Sequence, residues 1–272
     1  MNRILLWLEE NRAISVVLVL GYFFLVVLPH KRFGTWINRF FLSKNGTLQL
    51  TIPEYNKLIA GISTTVLVIA SIVLFKALRK NQEWKKVIFY LISSVVFAVI
   101  LIKTMFFINI EMVHFPQYAF LAILIFPLSY RYQSALIWAT IAGTLDEGYQ
   151  YFYLAPDETG YFDFNDVVTN LIGATFGLII LKALDIREKQ VLSFFKRSEV
   201  LGLISLTTIL VILYLMKVWS IHPTEGVPFP IVQKELTSFW TEAAHNVTYH
   251  VMRPFEALII VPSLWIYYRW LR

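Results

Sequence analysis

The chain of 272 residues contains no cysteine. That excludes a disulfide framework, a thiolate metal site and a cysteine nucleophile. Charge is scarce as well: Asp, Glu, Lys and Arg make up 15% of the residues, where soluble domains carry about a quarter. A glycine-rich phosphate loop, an HExxH helix and a GxSxG elbow are all missing from the sequence, so the common phosphate-loop, zinc-protease and serine-hydrolase signatures are excluded. Internal repeats with a period of about 20–50 residues are missing too. What fills the chain is apolar: 57% hydrophobic residues, 16% aromatic, and a mean hydropathy of +0.62. A water-soluble globule of this size cannot hide so much apolar surface, and the same composition excludes disorder. The expected fold class is all-α, a polytopic transmembrane helical bundle.

A bilayer core of ~30 Å takes ~20 mostly apolar residues per helix. Eight stretches qualify: Ala13–Pro29, Leu58–Phe75, Val87–Ile108, Val113–Tyr130, Gln133–Leu154, Val167–Leu181, Val200–Met216 and Phe255–Tyr268. The last is short and carries Glu256 and Pro262. The first reads as a retained anchor, because it runs into His30, Lys31 and Arg32 with no small-x-small cleavage pattern. Threading eight spans puts 15 of the 24 Lys and Arg residues on one side and nine on the other. The richer side is the cytoplasmic one by the positive-inside rule. Both termini are therefore expected in the cytoplasm and the protein in the cytoplasmic (plasma) membrane. Topology accounts for most of the net charge of +6, so nucleic acid is not an expected partner.

The chain divides into residues 1–86, a two-span extension with an exterior loop, residues 87–184, a four-helix core, and residues 185–272, an extension with an exterior amphipathic segment and the last span. In the first exterior segment, Ser43–Gly46 reads as a turn leading into a short alternating strand over Thr47–Ile52. In the second, Ile231–His250 reads as a helix lying at the membrane interface. Glu242, His245, Asn246 and His250 could mimic a metal set, but a histidine spacing of five does not put both rings cleanly on one helical face. Trp36, Trp240, Trp265, Tyr267, Tyr268 and Trp270 read as interface-belt aromatics.

Ionisable residues inside spans cost at least ~2.5–3.5 kcal/mol on insertion scales, which makes them functional candidates. Here they gather between Glu111 and Asn170. Glu111 and His114 are three apart, with Gln117 and Tyr118 one turn on. Asp146, Glu147 and Gln150 lie within five residues. Asp163 and Asp166 precede the sixth span, and Asn170 follows Asp166 by one turn. Asp146 lies 13 residues beyond Gln133, which is ~20 Å into the membrane at 1.5 Å per residue. Three segments thus set acids and amides at one level, in the outer half, and predict a polar cavity there. The bland alternatives are helix-end hydrogen bonding for Asp146 and Glu147, capping for Asp163 and Asp166, and helix packing for Gly143, Gly173 and Gly177.

The order Glu111–Met112–Val113–His114, then Asp146–Glu147–Gly148–Tyr149–Gln150, then Phe162–Asp163–Phe164–Asn165–Asp166, then Asn170–Leu171–Ile172–Gly173–Ala174 resembles the VanZ-like family. That family's pattern is acid-Lys-x-x-His, D-E-x-x-Q, an acidic stretch after a Pro-Gly-Arg type loop, and N-x-x-G-A. The likeness covers roughly Phe89–Ala183, about a third of the chain, including the four-helix core. It implies an integral membrane protein of the cell envelope linked to glycopeptide (teicoplanin-type) resistance. Three positions depart from it: Ile110 and Glu111 stand at the acid and lysine, and Gly160 at the loop arginine. Both usual cations are gone while the acids remain, and neighbouring carboxylates at low dielectric cannot all stay charged. Protonation, Lys103 at the outer end of the third span, or a divalent metal on His114, Asp146 and Glu147 would each restore balance.

The function expected from these readings is engagement of an outer-leaflet lipid or lipid-linked wall precursor. If the chain is an enzyme, the chemistry is acid–base or metal-assisted attack at a polar head group. Glu111, His114, Asp146, Glu147 and Gln150 are the candidate catalytic residues. Gln117, Tyr118, Asp163, Asp166, Asn170 and Lys103 are the candidate binding residues. The alternatives are a non-catalytic lipid-binding or structural membrane protein and a proton-coupled lipid or small-molecule transporter, although no inverted repeat is visible.

Overall fold

The computed structural model describes residues 2–42, 50–79, 81–106, 109–154, 160–189, 197–233, 238–242 and 248–271. Its helices are α1 (Asn2–Glu10), α2 (Arg12–Tyr22), α3 (His30–Leu42), α4 (Ile52–Leu78), α5 (Trp84–Thr104), α6 (His114–Ser129), α7 (Tyr132–Tyr149), α8 (Phe164–Ala183), α9 (Ser198–Leu215) and α10 (Pro254–Tyr268). Wider π-helical turns extend α2 over Phe23–Val27 and α7 over Gln150–Leu154, and a 3-10 turn, Asn109–Val113, leads into α6. Among the described residues, five stretches are long and apolar enough to cross a membrane: Arg12–Phe41, Trp84–Thr104, Glu111–Ser129, Phe164–Ala183 and Ser198–Leu215. A helical bundle fit for a membrane is what the composition demanded. The remaining expected spans fall on α4, α7 and α10, of 27, 18 and 15 residues.

Helix α8 is the axis of the bundle. Of its most apolar stretch 78% is buried inside the protein, against 6% for α9. Helices α6, α7, α5 and α10 pack around it, and α2 lies on the far side of α6. The sequence makes this possible through small residues, since without a hydrophobic drive between helices in lipid, association depends on close fit. A methyl group added to Gly173 would meet the His114 and Phe115 carbonyl oxygens at 2.9 Å, and one on Gly177 would strike the Ala119 carbonyl. On the other flank, a methyl at Gly143 would come within 2.9 Å of the Asn170 amide nitrogen. The α6–α7 corner is tight because Tyr130 takes the left-handed conformation, φ 49°, which ends one helix and lets Arg131 start the next in extended form.

Two exterior readings are corrected. No helix forms in the described part of Ile231–His250. Thr241–Glu242 (β3) instead pairs antiparallel with Thr248–Tyr249 (β4), and upstream Trp219–Ser220 (β1) runs parallel to Phe229–Pro230 (β2). The reason lies elsewhere in the chain. Phe162 N–H donates to Ile231 O at 2.8 Å and Gln233 N–H to Gly160 O at 2.8 Å, so the loop before α8 takes the backbone groups a helix would have used. The turn expected at Ser43–Gly46, and Thr47 to Gln49 of the strand, lie outside the described residues. Ile52 is helical, because Thr51 and Glu54 form a capping box at the start of α4. Of the expected belt aromatics, Trp36 and Trp270 are exposed, but Tyr268 is 2% exposed and shares a 2.8 Å hydroxyl contact with Ser94.

At the end of α8 away from its capped N-terminus, Lys182 pairs with Glu83 at 2.5 Å, and the Asn81 side chain donates to the Lys182 and Ala183 carbonyls. The Lys182 hydrogen bond holds the Glu83 carboxyl below its ordinary range. A depressed folded-state carboxyl adds stability above the unfolded pKa and loses it as pH falls through the folded value. Glu83→Gln should therefore lower stability near pH 7 by at most about 1 kcal/mol, the range for an exposed pair. The gap to the parent should close in thermal melts below about pH 4. The larger test of the packing is Gly177→Val. Forced against α6 backbone, it should cost more than the ~1–3 kcal/mol of ordinary overpacking, so that size-exclusion traces of purified protein show aggregate. Gly61→Ala, with open space around the site, should behave as the parent.

Candidate functional site

The beginning of α6, the end of α7 and the beginning of α8 meet at one end of the bundle. Antiparallel order brings this about: α7 runs against both of its neighbours, so its C-terminal turn falls beside their N-terminal turns. Asp163 starts α8 cleanly, its carboxylate accepting from the backbone N–H groups of Asn165 (3.0 Å) and Asp166 (3.4 Å). Asp163 thus acts as a helix cap. Capping leaves Asp166 and, one turn on, Asn170 facing α6.

His114 is the hub. Its Nδ1–H donates to Asn170 Oδ1 at 2.7 Å, and its Nε2 lies 3.5 Å from Asp166 Oδ2. Fixing one ring nitrogen on an amide oxygen orients the other, the arrangement by which ligand histidines are commonly held. Ligand atoms of His114, Glu147 and Asp166 all lie within 4.8 Å of one another. His114 and Glu147 are each 3% exposed, and Asp166 is partly exposed. Gln150 Nε2 donates to Glu147 Oε1 at 3.0 Å, which directs that carboxylate. Tyr118 OH donates to Asp146 Oδ2 at 3.1 Å, and the Tyr118 ring stacks over His114, 6.2 Å between centroids. Asp146 is fully buried. The trio joining His114 and Glu147 is completed by Asp166, whereas the sequence reading had grouped Asp146 with them.

Other expected members lie elsewhere. Gln117 is buried but turns toward α2: its side-chain amide donates to Val26 O at 3.0 Å, while Tyr22 OH donates to its backbone carbonyl at 3.1 Å. Val26 belongs to the π-helical turn over Phe23–Val27. Lys103 is exposed on α5, and among the described residues no ion pair ties it to the trio. Glu111 sits in the 3-10 turn before α6. Its charge and that of Asp163 act on a tyrosine pair, Tyr161 and Tyr249, whose hydroxyls are 2.8 Å apart. Burial first, and those acids after it, push the Tyr161 hydroxyl well up; Tyr249 is raised as well, again chiefly by burial. Gly160, at the expected loop-arginine position, has φ 73°, a conformation that favours glycine over any side chain.

Two residues carry more than the sequence suggested. Asn165 donates to His250 O at 2.8 Å and accepts from Met252 N–H at 2.9 Å, fastening the start of α8 to the segment before α10. The His250 ring stacks on Phe239 with centroids 4.0 Å apart and faces Glu256 Oε2 at 3.1 Å. Separations of 85 and 87 residues leave no local pattern that would reveal these contacts.

Fold and site together describe a helical protein suited to a membrane, with a buried histidine–carboxylate centre assembled from three helix ends. Comparison with family models, curated proteins and solved structures found no match.

Asn170→Ala removes the acceptor of the His114 Nδ1–H and leaves that buried donor unsatisfied. Stability should fall by about 1–3 kcal/mol, and the His114 side-chain resonances in a histidine-labelled sample should broaden as the ring loses its fixed orientation. Unchanged resonances would show that Asn170 does not hold the ring.

Proposed function

We propose that this is an integral protein of the cytoplasmic membrane, with about eight spans and both termini inside, acting on the cell envelope. In this reading the His114 centre engages the polar head group of an outer-leaflet lipid or lipid-linked wall precursor. The resemblance of the polar motifs to the VanZ-like family supports the envelope setting and the link to glycopeptide resistance. One observation carries the site: the ligand atoms of His114, Glu147 and Asp166 converge within 4.8 Å.

Two carboxylates and an imidazole at low dielectric need compensation, and a nitrogen with two carboxylate oxygens suits a divalent ion. Bound there, such an ion would neutralise the acids and polarise a head-group oxygen. Asn170 and Gln150 orient the ligand set. Asp146, outside the trio and steadied by Tyr118, is the carboxylate left for proton transfer in hydrolysis or group transfer. A purely structural role has support of its own, since the Tyr118–Asp146 and His114–Asn170 bonds link three helices.

Elemental analysis with native mass spectrometry of the purified protein should show one divalent ion per chain, lost in Glu147→Gln and in Asp166→Asn. The double variant Asp146→Asn, Glu147→Gln should lose the resistance phenotype at an undiminished level of folded protein. Full activity in that variant ends the catalytic reading. A lowered melting temperature with ligand binding intact would make the centre structural.

A further inference from the structure

A cavity of about 620 Å³ lies away from the His114 centre, within the roughly 300–1,000 Å³ typical of ligand sites. Its walls come from α2 and its π-helical turn, α6 and α7, with α9 at one edge. Along α7 it runs from Ser134 to Leu145. Eleven residues of helix rise ~16 Å, close to the ~15 Å of hydrocarbon in one leaflet.

The lining is apolar except at one end, where Arg12, Ser129, Ser134 and Ser198 gather. Arg12 has no carboxylate partner among the described residues. Of the cations near that end, Arg131 is taken by Glu199 at 2.5 Å, Lys189 by Glu9, and Arg197 is outside the lining, so Arg12 is the cation that lines the groove. Ser134 is 0% exposed, and its hydroxyl, like that of Ser129, is buried without a hydrogen-bond partner. Buried hydroxyls without partners are costly, and both residues belong to the lining of the groove. Because α2, α6 and α9 are all among the helices apolar enough to span, what meets the groove in a bilayer is lipid.

We propose that this groove holds one acyl chain of an anionic phospholipid, with the phosphate seated against Arg12 and the serine hydroxyls. The features match an amphiphile with a single negative end: a long apolar trough, one leaflet deep, with a guanidinium and two serines at one end that have no partner among the described residues. A guanidinium offers a phosphate paired donors. A zwitterionic lipid would share the chain contacts but gain less from the cation.

The test uses full-length protein in neutral detergent, titrated with phosphatidylglycerol or phosphatidylcholine and followed by native mass spectrometry. One phosphatidylglycerol should bind in preference to phosphatidylcholine. Arg12→Gln should weaken that binding roughly tenfold, the worth of one charge-assisted hydrogen bond, and leave phosphatidylcholine unaffected. Ala142→Phe, which fills the trough, should abolish retention of both lipids. Equal affinity for the two lipids, or undiminished phosphatidylglycerol binding in Arg12→Gln, overturns the proposal. Should Ala142→Phe fail to fold, the Arg12 comparison decides alone. The Asp146→Asn, Glu147→Gln variant should bind the lipid as the parent does, which separates this site from the His114 centre.

Discussion

The close approach of α8 to α6 is the contact on which the polar centre depends. Gly173 and Gly177 leave α8 bare where the backbone of α6 comes nearest. At ordinary interhelical separation His114 would be carried away from Asn170 and Asp166. Gly143 does the same service on the α7 side, where its missing side chain leaves space for the Asn170 amide. Dense packing therefore precedes polarity here. The small residues set the spacing, and the spacing lets an imidazole, carboxylates and amides within a largely apolar bundle find each other instead of lipid.

Hydrogen bonds then decide what each group can do. An amide oxygen fixes His114 Nδ1, and the ring is left presenting Nε2 toward Asp166. A glutamine amide takes one oxygen of Glu147, and a phenol takes one oxygen of Asp146. These are neutral donors, which orient carboxylates without cancelling their charge. Lys103, the cation nearest in the sequence reading, is exposed and does not neutralise the centre through an ion pair among the described residues. Among the described residues the spot brings together His114, Glu147 and Asp166, with Asp146 beside them on Tyr118, a set that a small cation or a proton suits.

Much of this was legible in the chain. Apolar runs marked the helices, and the depth argument placed Asp146 level with His114 because alternating helix direction fixes which ends meet. Gly173 and Gly177 were read as packing positions from their spacing alone. Side-chain direction was harder. Gln117 and Tyr118 are adjacent and both buried, yet one turns to Val26 and the other to Asp146. The acceptor for Gln117 lies in the π-helical turn of another helix, out of reach of a reading of α6 alone. The trio gained Asp166 at the expense of Asp146 for a similar reason: consecutive acids on α7 point in different directions, and only the packed neighbour decides which one faces the histidine. The described part of Ile231–His250 is not helical despite its amphipathic pattern, because the hydrogen-bond partners of Ile231 and Gln233, Phe162 and Gly160, lie some 70 residues upstream.

Helix α7 links the two polar regions of the molecule. One end supplies Glu147 and Gln150 to the histidine centre, and the other supplies Ser134 to the groove beside Arg12. Between them Ala142 and Leu145 face the trough while Gly143 faces Asn170. Adjacent positions on one helix thus contact lipid-facing space on one side and the support of His114 on the other. The two regions share one helix but use different faces of it, so neither borrows a side chain from the other. Any shift of α7 along its axis would change both contacts together, because a rigid helix cannot move one end without the other.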